Sequence, residues 1–304
     1  MNQESKTILK ADFDHLVGLE VGTSTLLREL ARGGMAVLFV AFQRTLKRQI
    51  AVKILPKSQM TPEAAAGFRQ EAETSAILSH PNIVPIYEVG ETNDFLFFTM
   101  QLIQGRPLSY HIARVRRHVI PSKRFLPLDM TLDIVLRVLD ALDHAHRQDI
   151  VHRDVKPANI LIEKESGRPL ITDFGIANLT RDLGSRSRAI QGTPIYMAPE
   201  QIVTIDLDGR ADVYATGVLL FEMLVSRLPL PPHESKRELM KKKLEMKDDY
   251  FQNRPSRLNP SVDEELDAIV MKAAAFRPDD RFAGCREFIN HLKDYRDRMF
   301  RGDI

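Results

Sequence analysis

The sequence predicts an α+β chain, strand-rich at its N-terminal end and mainly helical beyond. Three observations carry this. Short runs rich in β-formers recur at 26–31, 37–42, 49–55, 83–89 and 95–101. A longer pattern with helical periodicity follows at 129–148, and the nearly all-apolar run 210–225 reads as a buried helix. Between those two helices, the apolar runs 160–162 and 170–172 flank the polar stretch 163–169, with Gly167 as the turn residue of a small hairpin.

Size and composition narrow the function. A chain of 304 residues with a formal net charge of +2 suggests about two domains and gives no general attraction to nucleic acid or an anionic membrane. One cysteine, Cys285, excludes an intrachain disulfide framework and a cysteine-based zinc site, and reads as a small core residue. The polar, mixed-charge start over 1–14 is unlike a signal peptide, and no run of eighteen apolar residues occurs. The expected location is the cytoplasm, either alone or as the cytoplasmic portion of a longer protein.

The hairpin concentrates the chemistry. His152, Arg153, Asp154, Lys156 and Asn159 precede its first strand, and Asp173 follows its second. Folding it therefore brings Asp154, Asn159 and Asp173 to one end. One acid can hold a substrate hydroxyl. The other acid and the carboxamide are hard oxygen ligands of the kind Mg²⁺ takes when it also carries phosphates.

His152, Arg153 and Asp154, with Asn159 five residues after the acid and then Asp173, Phe174 and Gly175, resemble the catalytic loop and metal-binding motif of protein kinases. Lys156, two residues after Asp154, resembles the serine/threonine-specific form of that loop. The segment from Gly192 to Glu200 is similar to that of bacterial kinases of the eukaryotic-like serine/threonine type. The resemblance covers 26–292. It implies a bilobal protein-kinase fold, α+β, with a five-stranded antiparallel N-lobe carrying one main helix over 25–101 and a mainly helical C-lobe over 102–304. Residues 1–24 form an extension, and the whole is one catalytic domain. It also implies transfer of the ATP γ-phosphoryl group to serine or threonine hydroxyls of protein substrates. Mg²⁺ would be the metal, with Mn²⁺ as an alternative, and a dimer would allow trans-autophosphorylation. No nucleic acid partner and no membrane span in this chain are expected.

The N-terminal elements follow in order. The turn between 26–31 and 37–42 contains Ala31, Gly33, Gly34, Ala36 and Leu38, which stand where the family has a Gly-rich loop over the ATP phosphates. Bare backbone approaches phosphate closely, so alanine at two glycine positions stiffens the loop. This favours, as the rival reading, a pseudokinase acting as a binding or scaffold module with weakened ATP use. In the next strand Lys53 sits among apolar residues, which costs free energy unless its ammonium is paired. It resembles the strand lysine that contacts the α- and β-phosphates and pairs with a helix glutamate. Thr61 and Pro62 suit a helix start, and the helix should run to about 79, with Phe68, Ala72, Ser75, Ile77 and Leu78 inward. Glu71 on it is the candidate partner of Lys53. Met100 matches the residue behind the adenine pocket and Ile103 the backbone position that bonds adenine. Gln101 stands where many relatives carry glutamate. Leu38, Ala51 and Leu161 would sandwich the base, and 101–107 would be the hinge.

In the helical part, Arg114, Arg116, Arg117, His118, Lys123 and Arg124 form a basic stretch that reads as a solvated loop or a dock for an acidic partner. Leu132, Val135, Leu136, Leu139 and Leu142 mark the inward face of 129–148. His144 and His146 at its end cannot share a helix face as metal ligands. Residues 176–200 resemble the activation segment, with Ser185 and Ser187 as autophosphorylation sites and Arg153 as receiver of the phosphate. Thr193 is expected to contact Asp154 and Lys156. In the nearly all-apolar 210–225, Asp212 resembles the buried acid that braces the catalytic loop, and Arg281 resembles the partner of Glu200. Lys241, Lys242 and Lys243, within 235–247, read as a solvated face. Closing helices are expected at 266–274 and 285–295.

Overall fold

The structure is a computed structural model and describes residues 14–33, 36–174, 194–204 and 206–301. Two compact units result. One contains the chain to Phe68 together with Ile86–Leu102, and the other contains Arg69–Pro85 and everything from Ile103 onward.

The first unit is built on an antiparallel sheet of six strands in the order β1-β2-β3-β4-β6-β5. These are β1 (Glu20–Val21), β2 (Ser24–Arg32), β3 (Val37–Gln43), β4 (Arg48–Pro56), β5 (Ile86–Glu91) and β6 (Phe95–Met100). Alternation sorts the side chains, since successive residues of a strand point to opposite faces. Val37, Phe39, Ala41, Ile50, Val52, Ile54, Phe95 and Phe97 share one face and join Leu16, Val21 and Leu26 in a core. Cross-strand register puts Leu38 opposite Lys53 and Lys53 opposite Phe98, with Val40, Ala51 and Met100 alongside on the other face.

Five strands were expected and six occur among the described residues. The added strand, β1, is two residues long and pairs with Thr25 and Ser24. Two residues carry no readable period, and Gly22, at φ +54°, makes the reversal. The strand expected from 83 begins at Ile86. Pro85 has no N–H to donate to a ladder, and Ile83, which belongs to the second unit, instead makes a single parallel bridge to Ile171 of the same unit.

Helix α1 (Pro62–Ile77) has its N-terminal half in the first unit and its remainder in the second. Thr61 caps it, its hydroxyl accepting from Ala64 N at 3.1 Å. Ala72, Ser75 and Leu78 are buried, but Ile77 is 65% exposed. At 100° per residue it lies about 200° from Ser75, so it faces away. Glu71 is 4% exposed, and Glu73 is exposed.

The second unit packs around two long helices. After α2 (Leu108–Arg116) come α3 (Leu128–His146), α4 (Glu200–Val203), α5 (Arg210–Val225), α6 (Lys236–Met246), α7 (Pro255–Leu258), α8 (Glu264–Ala273) and α9 (Cys285–Arg301). Helix α5 is apolar on all sides and is buried on nearly all of them, from Ala211 to Val225. Helix α3 buries Leu132, Val135, Leu136, Leu139 and Leu142. Cys285 is buried in the same core. Among the described residues, no helix is long and apolar enough to cross a membrane.

A small sheet, β7 (Gly105–Pro107), β8 (Ile160–Glu163) and β9 (Pro169–Ile171), lies in this unit. Strand β7 falls in the stretch expected to be plain hinge. It has no β-forming residue, and its position requires glycine, because a Cβ on Gly105 would lie 2.0 Å from the Ile162 carbonyl oxygen. The basic stretch is also not simply loop. Arg114 and Arg116 occupy the last turn of α2, where cations complement the helix dipole.

The solvated lysine row requires the largest correction. On α6 the Lys241 side chain is 72% exposed, whereas Lys243 is 1% exposed. Its ammonium donates to the carbonyls of Pro194 (2.9 Å), Ile195 (2.7 Å) and Met197 (2.7 Å). Three acceptors for three N–H groups compensate the burial that composition alone counts as prohibitive.

Candidate active site

The β8–β9 hairpin positions the polar cluster. Gly167 turns it at φ +69°, and Thr172 N donates to Asn159 O at 3.0 Å to close its open end. Asp173 is therefore one residue from the backbone of Asn159's partner. Asn159 Nδ2 donates to Asp154 O (2.9 Å) and Asp154 Oδ2 (3.0 Å). Lys156 Nζ donates to the same Oδ2 at 2.5 Å. Arg153 and Asp173 both hold left-handed backbone, at φ +69° and +65°, an unfavourable region for these residues that persists only where the surroundings enforce it.

His152 supplies part of that enforcement. Its buried ring packs 4.5 Å from the Phe174 ring. Nδ1 accepts from Asp154 N (3.2 Å), so Nε2 carries the proton and donates to Thr172 O (3.1 Å). One imidazole thus ties the Asp154 backbone to the residue before Asp173.

Asp212, at the start of α5, is fully buried and braces the loop from below. Oδ2 accepts from His152 N and Oδ1 from Arg153 N, both at 2.8 Å, and His146 Nε2 lies 2.7 Å from Oδ2. A Cβ on Gly209 would meet His146 Nδ1 at 2.5 Å, so glycine there leaves the ring its place. Burial opposes the Asp212 charge, but the His146 bond and charge outweigh it and hold the carboxyl below its usual range. For His146, burial pulls the pKa down, and the bond to Asp212 and the charges of Asp212, Asp143 and Asp208 carry it above the ordinary value. A raised histidine pKa contributes stability below the unfolded value of about 6.5 and loses it as pH rises through the folded value. Urea titrations across that window should show the unfolding free energy of the wild type falling with pH more steeply than that of His146→Gln. Parallel slopes would contradict the pair.

Two further ties hold the neighbouring segment. Glu200 and Arg281 form a two-bond pair at 2.6 and 2.7 Å, and Arg281 also donates to the carbonyls of Arg210, Ala275 and Phe276. Gln201, which nothing in the sequence singles out, accepts from Ala198 N (2.8 Å) and donates to Arg153 O (2.9 Å). An isolated glutamine beside a helix start carries no motif, so only the fold reveals this link. A groove of about 250 Å³ opens beside Lys156, lined also by Ser109, Ile112, Arg116, Tyr196 and Glu222.

In this unit the structure gathers Asp154, Lys156 and Asn159, with Arg153, Asp173 and Asp212 on the backbone segments bonded to them. Leu161 lies on β8, and Ile103 precedes β7. In the first unit Leu38, Ala51, Lys53 and Met100 share one sheet face, and Ala31 pairs with Leu38. Lys53 Nζ lies 5.5 Å from the Phe98 ring centre. Gly33 N donates to Ala36 O at 2.9 Å, and Gln101 follows β6. Gly34, Ser185, Ser187 and Thr193 lie outside the described residues.

The model of the protein kinase domain family matches residues 24–292. The chain belongs to the protein kinase family. This kinase domain is 34% identical to the serine/threonine-protein kinase Pkn1 of Myxococcus xanthus over 92% of its own length, and 34% identical to PrkC of Bacillus subtilis over 91%. It spans only 39% and 41% of those two relatives. Among solved structures, the Mycobacterium tuberculosis PknI kinase domain superposes with a TM-score of 0.70 at 28% identity, covering 91% of this chain and 98% of that one. The fold is thus that of a protein kinase. The family uses ATP and a divalent metal. The donor set fits such a metal, because a carboxamide and a carboxylate on neighbouring backbone would offer it oxygen ligands alongside those of bound phosphates.

Proposed function

We propose that this kinase domain transfers the γ-phosphoryl group of ATP to serine and threonine hydroxyls of proteins. The observation that carries the reading is the fixing of Asp154. Its backbone is held by His152 and Asn159, and its carboxylate is held by Lys156 and Asn159.

Asp154 would orient the acceptor hydroxyl and take its proton as the hydroxyl oxygen bonds to the γ-phosphorus and the bond to the β–γ bridging oxygen breaks, leaving ADP. Lys156, beside Asp154, would neutralise charge on the transferred group. Asn159 and Asp173 would hold the metal, for which we propose Mg²⁺. When bound, the metal offsets phosphate charge. Lys53 would hold the α- and β-phosphates and pair with Glu71. The sheet face with Leu38, Ala51 and Met100, together with Gln101, Ile103 and Leu161, would bind adenine under the loop of Ala31, Gly33, Gly34 and Ala36. Catalysis of this kind is positioning plus electrostatic stabilisation, which calls for charges and amides and no activated nucleophile.

We read 25–101 and 102–304 as the two lobes of one cytoplasmic catalytic domain, with 1–24 as an extension. Regulation is proposed through trans-autophosphorylation of Ser185 or Ser187 in a dimer, with the phosphate received by Arg153 and with Thr193 contacting Asp154 and Lys156.

Incubation with labelled ATP and Mg²⁺ tests the reading. The wild type should label protein on serine or threonine, and Asp173→Ala should not. Label on tyrosine would overturn the acceptor class, and no label with Mg²⁺ or with Mn²⁺ in its place would leave a binding module. Mass spectrometry should find phosphate on Ser185 or Ser187, and a fully active Ser185→Ala/Ser187→Ala chain would remove the regulatory part.

A further inference from the structure

Three consecutive lysines on α6 have three different environments, and only Lys243 is buried. Nothing in the transfer chemistry uses it. Its ammonium is ringed by carbonyls of Pro194, Ile195 and Met197, and it lies 5.0 Å from the ring centres of both Tyr214 and Tyr250. Burial pushes the ammonium well below the usual lysine range, Arg281 pushes the same way, and Glu200 opposes. Every N–H of the group is thus spent on one stretch of four residues.

That stretch borders the groove beside Lys156. Within it, Tyr196 makes no carbonyl bond to Lys243. Its hydroxyl donates to Glu222, and both side chains line the groove. The same segment runs on to Ala198, whose N–H is held by Gln201, and Gln201 holds the Arg153 carbonyl next to Asp154. One ammonium therefore sets a backbone whose outer side is a wall of the groove and whose end is tied to the proposed proton acceptor. All three acceptors come from one segment, in which Pro194 is buried and 195–197 are half-buried.

We propose that Lys243 is a positioning residue for the protein substrate, clamping 194–197 into the wall of the acceptor groove and so governing the affinity for acceptor protein and not for ATP. The inference rests on the kinase reading above and deepens it.

Steady-state kinetics with Mg²⁺-ATP provide the test. The acceptor is casein or a tagged Asp154→Asn copy of the chain, whichever the wild type labels. Lys243→Met keeps length and packing but removes the three donors. The KM for acceptor should rise about tenfold, within what a small misplacement costs, while the KM for ATP stays within about twofold. Lys241→Ala, on the same helix but exposed, should change neither. An unchanged acceptor KM, or an equal rise in both constants, overturns the proposal. If Lys243→Met does not fold, Lys243→Arg takes its place, because it keeps the charge on a planar fork that cannot serve three converging carbonyls. It should shift the acceptor KM alone. If neither variant folds, the lysine serves the fold at large and the proposal falls. A wild type that labels no protein fails differently, since it removes the kinase reading itself.

Discussion

Asp154→Asn is expected to lower kcat by about 10²–10⁴-fold, the range associated with a lost general base. The substitution is nearly isosteric. The backbone bonds from Asp154 N to His152 and from Asn159 to Asp154 O do not involve the side chain, so the loop should keep its shape. What changes is charge. Oδ2 of Asp154 now accepts from both Lys156 and Asn159. An amide in its place can still accept through one oxygen, but it cannot take up a proton, and Lys156 loses its counter-ion. The KM for ATP should move little, and the melting temperature should stay close to that of the wild type. Steady-state kinetics beside a thermal melt would check all three. Retention of a tenth or more of wild-type kcat would show that Asp154 is not the proton acceptor.

Asp212→Ala should cost about 3–5 kcal/mol of stability, the range for removing one member of a buried charged pair. Asp212 is fully buried, and its two oxygens accept from His152 N, Arg153 N and His146. Alanine leaves the N–H groups of His152 and Arg153 and the half-buried His146 imidazole without that acceptor. Asp212→Asn keeps one accepting oxygen and should lose less. Urea unfolding at neutral pH should rank the three proteins wild type, Asn, Ala. The same order is expected in kcat, because the carboxylate holds the backbone on which Asp154 is mounted. If Asp212→Ala were as stable as the wild type, the loop would have to be braced by other groups.

Much of the fold follows from local pattern. Helix α5 is legible because its apolar run has no polar face to solvate, and such a helix can only be interior. The β8–β9 hairpin is legible from two short apolar runs about a glycine that must adopt positive φ. Strands β3, β4 and β6 show dense β-branched and aromatic residues. Among the described elements, β1, β7, α2 and the one-turn helices α4 and α7 escaped. Strand β1 is too short to show a period, β7 has no β-forming residue, and α2 is masked by its arginines, which resemble a solvated loop until the helix dipole accounts for them.

The site divides in the same way. Asp154, Lys156, Asn159 and Asp173 sit within one hairpin's reach, so their spacing along the chain already says that they meet. Gln201 and Lys243 carry no such mark. Gln201 bonds a carbonyl 48 residues away, and Lys243 bonds carbonyls 46 to 49 residues away. Ile77 errs in the opposite sense, as an apolar residue turned to solvent by helical phase.

By itself, the order of residues determined the element types, the hairpin and the charged groups that it brings together, because these depend on periodicity and on contacts close in sequence. Tertiary structure decided which of three equal lysines is buried and where a lone glutamine is anchored. Those outcomes depend on whether distant backbone carbonyls and N–H groups converge on a desolvated polar atom, and convergence over long chain separations leaves no trace in local pattern.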